Sequence, residues 1–183
     1  MDIEKFLEFP KKKMLILGTV LAFVSFLLLT IIMAPTELYL KGNTGYGVLE
    51  FEFAWTSEGI NTIFSAWGND GKQKELLVTY IDFLYIPSYA FCYSGCILLI
   101  TRKFKDRHKK IGLYIALTPF IAGIFDVIEN INLILMLAND SFIRGGSPFI
   151  ASLCATIKFG FLIIGWIFIV VRFFVLLVKK FKK

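Results

Sequence analysis

The sequence predicts an all-α integral membrane protein: a four-transmembrane-helix antiparallel bundle with a small extracytoplasmic cap made of a short strand plus a helix. Three observations predict it. The chain of 183 residues is 57% hydrophobic, with 20 phenylalanines, above the roughly 45–50% apolar content of soluble domains. Four stretches reach the ~20 apolar residues that cross a hydrocarbon core: 14–33, 76–100, 111–138 and 149–178. Basic residues also gather at one end of those stretches, in the segments 1–13, 101–110 and 179–183.

That asymmetry orients the bundle. Lys5 and Lys11 to Lys13, the run from Arg102 to Lys110, and the lysines after Val178 lie in segments that the positive-inside rule places in the cytoplasm. Both termini are therefore expected inside a plasma membrane, with the whole chain forming one membrane domain. The net charge of +6 reflects this arrangement rather than a nucleic-acid footprint. The first apolar run is too long for a signal-peptide core and no small-x-small site follows Met33, so it reads as a retained helix. The 1–13 segment, with Ile3, Phe6 and Leu7 beside lysines, reads as an interfacial anchor.

Residues 34–75 are too many for a simple connection. Pro35 is expected to end the first helix, and Gly42 to Gly47 to make a turn. Leu49-Glu50-Phe51-Glu52-Phe53 alternates apolar and acidic residues, the pattern of a half-buried strand. Thr56 or Ser57 would cap a short helix carrying Ile60, Ile63, Phe64 and Trp67 on one face, which Gly68-Asn69-Asp70-Gly71 would stop. The segment reads either as a cap with Trp67 at headgroup level or as a lid over a cavity.

The spans carry ionisable residues, which hydrocarbon tolerates only in a cavity or beside a partner. Asp126, Glu129 and Asn130 share a helical face at i, i+3 and i+4. Glu129 and Asp126 lie nine and twelve residues before Ala138, and Lys158 nine after Phe149. All three therefore fall about 14–18 Å below the outer boundary. On the second span Asp82, Tyr85, Tyr89, Tyr93 and Cys96 form a polar and aromatic seam, broken near Asp82 by Pro87. Lys158, Gly165 and Arg172 repeat every seven residues, with Arg172 placed to snorkel. Asp82, Tyr85, Tyr89, Asp126, Glu129, Asn130 and Lys158 are the candidate ligand- or ion-binding residues. The alternative is a buried ion pair of Lys158 with Asp126 or Glu129 that fixes helix register.

Other chemistries lack their residues. Cys92, Cys96 and Cys154 fall at apolar depth, unlike reactive thiols. His108 stands alone in a basic loop, so neither a metal centre nor haem ligation is expected. Phosphate-cradling glycine loops and the GxSxG nucleophile motif do not occur, and no cofactor is expected.

Three short elements, Ala66-Trp67-Gly68, Asp82-Phe83-Leu84 and Asp126-Val127-Ile128-Glu129-Asn130, carry a resemblance to a group of small, poorly characterised prokaryotic four-span membrane proteins. It covers residues 49–137, implies the four-span architecture and implies no activity; Lys158 lies outside it. Three functions stay open. The first is binding or transport of a small ligand, cation or proton at the outer-half acidic cluster, with a homo-oligomer completing any path. The second is a membrane enzyme using paired carboxylates as acid and base on a lipid or sterol-like substrate. The third is an assembly subunit whose acids pair with a partner. Membrane lipid is a partner in each.

Overall fold

In the computed structural model, residues 11–181 are described; the first ten residues of the expected N-terminal anchor lie outside that range. Helix α1 runs Lys12–Thr44, α2 Val48–Glu52, α3 Ser57–Thr101, α4 Asp106–Ile115, α5 Thr118–Ala138 and α6 Ser147–Phe181, with a 3-10 turn at Asp140–Phe142. Four helices are long and apolar enough to cross a membrane: α1, α3, α4 with α5, and α6. Their outward faces leave large apolar side chains uncovered, Leu28 and Ile31 on α1 and Ile163 and Trp166 on α6 among them. In water such surface would aggregate; in a bilayer it faces lipid.

Pro35 does not end α1, which continues through it to Thr44. Proline removes one backbone donor. Here it does so where the helix, at 33 residues and about 50 Å, already outruns the ~30 Å hydrocarbon core. The freed carbonyl can then meet water. The helix ends at Gly45, whose φ of 79° is left-handed and whose N–H donates to the Lys41 carbonyl at 2.9 Å.

The expected strand is not present: no β-strand occurs among the described residues, and Val48–Glu52 forms a five-residue helix. A strand needs a neighbour to complete its hydrogen bonds, and this segment has none. Side chains supply helical caps instead. The Val48 N–H donates to Glu37 Oε2 at 2.7 Å and the Gly47 N–H to Glu50 Oε2 at 2.8 Å. A Cβ on Gly47 would fall 2.2 Å from the Glu37 carboxylate, so only glycine admits this cap. The alternation survives as a helical partition: Phe51 and Glu52 turn inward, while Glu50 turns out to Lys41 at 2.6 Å.

The chain reverses at Trp55, a non-glycine residue at φ 57°. Its N–H donates to Ser152 Oγ at 2.9 Å, a bond to α6 that helps hold the uncommon conformation. Thr56 then caps α3 as expected, accepting from the Gly59 N–H at 3.1 Å. Gly68, at φ 61°, kinks the helix but does not stop it. Ile60, Ile63, Phe64 and Trp67 are all buried, and Trp67 and Phe64 pack against Phe51. Trp67 donates its indole N–H to the Tyr46 carbonyl at 2.7 Å. The ring therefore belongs to the core of the cap rather than to a headgroup belt.

Helices α1, α3, α5 and α6 pack in series, and α6 also touches α3. The close approaches sit at glycines. A Cβ on Gly95 of α3 would lie 2.1 Å from Thr19 Oγ1 of α1, and one on Gly123 of α5 would lie 3.0 Å from Ile86 of α3. Helices α1 and α6 flank α3 without an extended seam between them, leaving a cleft. At the basic end Arg172 lies over Phe104 and Phe168, with Nη2 3.0 Å from His108 Nδ1.

Two outcomes follow from this packing. Gly95→Ala forces Thr19 against α3 and should lower the melting temperature, overpacking of this kind costing about 1–3 kcal/mol; adding Thr19→Ala should restore part of the loss in a detergent thermal melt. The Lys41 ammonium, and then the Gly47 N–H, hold the Glu50 carboxyl below the usual glutamate range. Its pairing therefore stabilises α2 fully above that range and is lost as pH falls through the lower folded value. Hydrogen exchange at 48–52, corrected for its intrinsic pH dependence, should quicken on that descent in the parent protein, with the step missing in Glu50→Gln.

Candidate functional site

Lys158 stands at the centre of the site. It lies about three turns into α6, among apolar sequence neighbours, and is 5% exposed. Its ammonium lies 2.9 Å from Asp126 Oδ1, 2.9 Å from Glu129 Oε2 and 3.2 Å from Glu52 Oε1. Asp126 and Glu129 come from one face of α5, one turn apart; Glu52 comes from α2, which the Glu37 and Lys41 contacts and the buried Phe51 hold over the bundle. A buried ammonium needs partners of this kind, because hydrocarbon supplies no hydration.

The ring is over-supplied with acid. Asp126 is fully engaged: its Oδ1 receives the ammonium and its Oδ2 receives the Tyr89 hydroxyl at 2.8 Å. Glu129, with no exposure, pairs with Lys158 by proximity but without hydrogen-bond alignment, and neither of its oxygens has a hydrogen-bond partner among the described residues. Glu52 Oε2, also buried, has none either. These two carboxyl groups interact with each other. They repel unless a proton or another positive group lies between them.

Next to the ring, Asn130 donates from Nδ2 to Asp82 Oδ2 at 2.6 Å. Tyr85 stacks on Phe26 of α1 with ring centres 5.1 Å apart and meets Tyr89 edge-on at 5.8 Å. The predicted site residues thus come together: Lys158, Asp126, Glu129 and Tyr89 form one network, Asp82 and Asn130 a neighbouring pair, and Tyr85 part of the adjoining wall. Gly123 makes this possible, since it brings Ile86 of α3 against α5 one turn before Asp126.

A cavity of about 550 Å³ opens beside the network, in the cleft between α1 and α6. Its polar wall carries Glu37, Glu52, Asp82, Asp126 and Lys158; its apolar wall includes Phe26, Met33, Phe159 and Leu162, with Val48 and Leu49 of α2 at one end. Glu129 does not line it.

Sequence reasoning missed Glu52, Glu37 and Glu75. The expected strand puts Glu52 in the cap, and the only local hint otherwise is Phe51 beside it, which is buried, while Phe53 on its other side is exposed. Glu75, 1% exposed, shares the Asp82 face of α3 seven residues earlier, and its Oε2 has no partner among the described residues. That i, i+7 spacing was legible. Among the described residues no group of three or more His, Cys, Asp or Glu side chains is gathered as a metal site, and in the acid ring the Lys158 ammonium holds the central position.

Compared with known protein families, curated proteins and solved structures, the chain matches none. The chain is a four-span helical membrane protein with a buried, salt-bridged cluster.

Removing the ammonium should expose the imbalance. Lys158→Met leaves three carboxyl groups facing one another and should cost about 3–5 kcal/mol, as breaking a buried pair does. Adding Asp126→Asn and Glu129→Gln should recover most of the stability, measured as the detergent melting temperature. A melting temperature unchanged in Lys158→Met would show that the ring contributes nothing to the fold.

Proposed function

We propose that this protein binds a small, positively charged ligand in the outer-half cavity, holding it against Glu52 and Asp82, and that binding exchanges the ligand's charge for protons. The observation that carries this reading is the charge imbalance at the cavity wall. Three carboxyl groups, of Glu52, Asp126 and Glu129, surround one ammonium, which leaves two negative charges uncompensated if all three ionise. A medium of low dielectric does not hold such a surplus. Protons supply the balance when the cavity is empty, and a cation resting at Glu52 and Asp82 supplies it when the cavity is filled.

The neighbouring groups suit that role. Asn130 fixes Asp82 through one oxygen without adding charge of its own. The stacked rings of Tyr85 and Phe26 present aromatic surface to a cation. Asp126, held by both Lys158 and Tyr89, is better placed as a fixed counter-charge than as a ligand group. Catalysis at a carboxylate pair is less well served, because Glu129 is sealed behind the ring. The basic residues at the opposite end orient the cavity toward the outer half of a plasma membrane by the positive-inside rule. Binding requires only this cavity; a second one, of about 740 Å³ between α1 and α3 nearer the basic end, is lined by Leu15, Thr19, Gly95 and Phe120 among others and carries no charged group.

Gently extracted protein should retain a positively charged molecule in native mass spectrometry. Glu52→Gln and Asp82→Asn should each lose it while keeping the parent melting temperature within a few degrees, because each relieves the surplus negative charge. Undiminished retention in both variants would overturn the proposal.

A further inference from the structure

We infer that the ligand is an amphiphilic amine that enters sideways from the lipid, its ammonium at Glu52 and Asp82 and its hydrocarbon chain along the cleft between α1 and α6; this names the ligand class for the reading above and rests on it. The shape of the cavity is the first argument. It follows α1 from Glu37 to Phe26, eleven residues, or about 16 Å. Glu37 and Glu52 lie toward its outer end, whereas Phe26 and Leu162 line the part nearer the bilayer centre. The polarity gradient is that of a headgroup followed by a tail.

The missing seam is the second argument. Helices α1 and α6 do not pack along each other, so the long side of the cavity opens toward lipid rather than toward protein. Phe26, Phe159 and Leu162 line it and are half-buried, as groups at the lip of a lateral opening would be. The outer end is obstructed by α2, whose Val48 N–H is pinned to Glu37 and whose Val48 and Leu49 side chains face the cavity. With α2 over the outer end, the uncovered side of the cavity is the one that faces lipid.

The third argument is the unpaired group. Glu52 is 8% exposed and lines the cavity, and its Oε2, itself buried, has no donor among the described residues. An alkylammonium head carries N–H donors and a full positive charge, meeting both needs at once. Its chain passes from lipid tails to apolar side chains, so it needs no aqueous step. A bare hydrophilic cation would fill only the outer part of the space and would leave the apolar part empty.

Three probes separate the outcomes on the full chain in neutral maltoside micelles: dodecylamine, tetramethylammonium and dodecanol, followed by isothermal titration. Dodecylamine should bind saturably, and Glu52→Gln should weaken it at least about tenfold. Tetramethylammonium, with charge but neither a chain nor N–H donors, should bind weakly by the same margin. Leu162→Trp, which crowds the tail region, should weaken dodecylamine and leave tetramethylammonium unchanged. Equal affinity for the two ammonium probes would overturn the amphiphile inference while leaving cation binding in place. Dodecanol matching dodecylamine with no effect of Glu52→Gln, or no saturable binding of either ammonium probe, would overturn both readings.

Discussion

An ammonium in hydrocarbon is the constraint on which the rest of this structure depends. Insertion scales put such a charge at roughly 2.5–3.5 kcal/mol, and the penalty falls only when opposite charges reach it. Lys158 is reached from two directions. Helix α5 brings Asp126 and Glu129 across a conventional helix seam. The short α2 brings Glu52 from above, which requires α1 to extend beyond the membrane, a left-handed stop at Gly45, an end-on cap by Glu37 and a strained reversal at Trp55. The irregular connection between the first two spans is the device by which a distant carboxylate is lowered into the bundle.

The same ring explains the asymmetry of the bundle. Helix α5 touches both α3 and α6, so the charged groups sit between packed helices. Helix α1 leans mainly on α3, through contacts as close as Thr19 against Gly95, reaches α2 through Glu37 and Lys41, and contributes no partner to Lys158. Its other flank is free to form one wall of the cleft. Paired charge on one side and a helix held along one face on the other is an arrangement that keeps polar geometry fixed while leaving an apolar entrance.

Much of this was legible in the sequence. Hydropathy alone exposed the membrane class and four spans. Counting residues from the span ends placed Asp126, Glu129 and Lys158 at one depth, and the structure joins them directly. Helical spacing put Asp126, Glu129 and Asn130 on one buried face. Between Pro35 and Gly71 the Thr56 cap and the buried face from Ile60 to Trp67 match the structure, whereas the helix stops at Pro35 and Gly68 and the strand at 49–53 failed. Five alternating residues satisfy a strand pattern and a single helical turn equally well, and only the absence of a partner strand and the presence of Glu37 as a cap decide between them. Misplacing that segment hid Glu52, because a carboxylate on a cap strand points to water whereas one on α2 points into the ring. Trp67 followed the same error: its indole finds a carbonyl in the cap, contributed by Tyr46, which no local pattern announces.

The acids of α5 also leave the ribosome before their counter-ion does. Glu129 precedes Lys158 by 29 residues, so α5 is made first. Its eleven Leu, Ile, Phe and Val residues favour insertion by about 3–7 kcal/mol in sum, while two central carboxylates oppose it by about 5–7 on the same scale. Taken alone, α5 is poised between water and bilayer. Helix α6, strongly apolar apart from Lys158 and the basic residues toward its far end, tips that balance once it arrives. The third and fourth spans are therefore expected to partition into the membrane as a pair, which makes the ion ring a condition of biogenesis as well as of the finished fold.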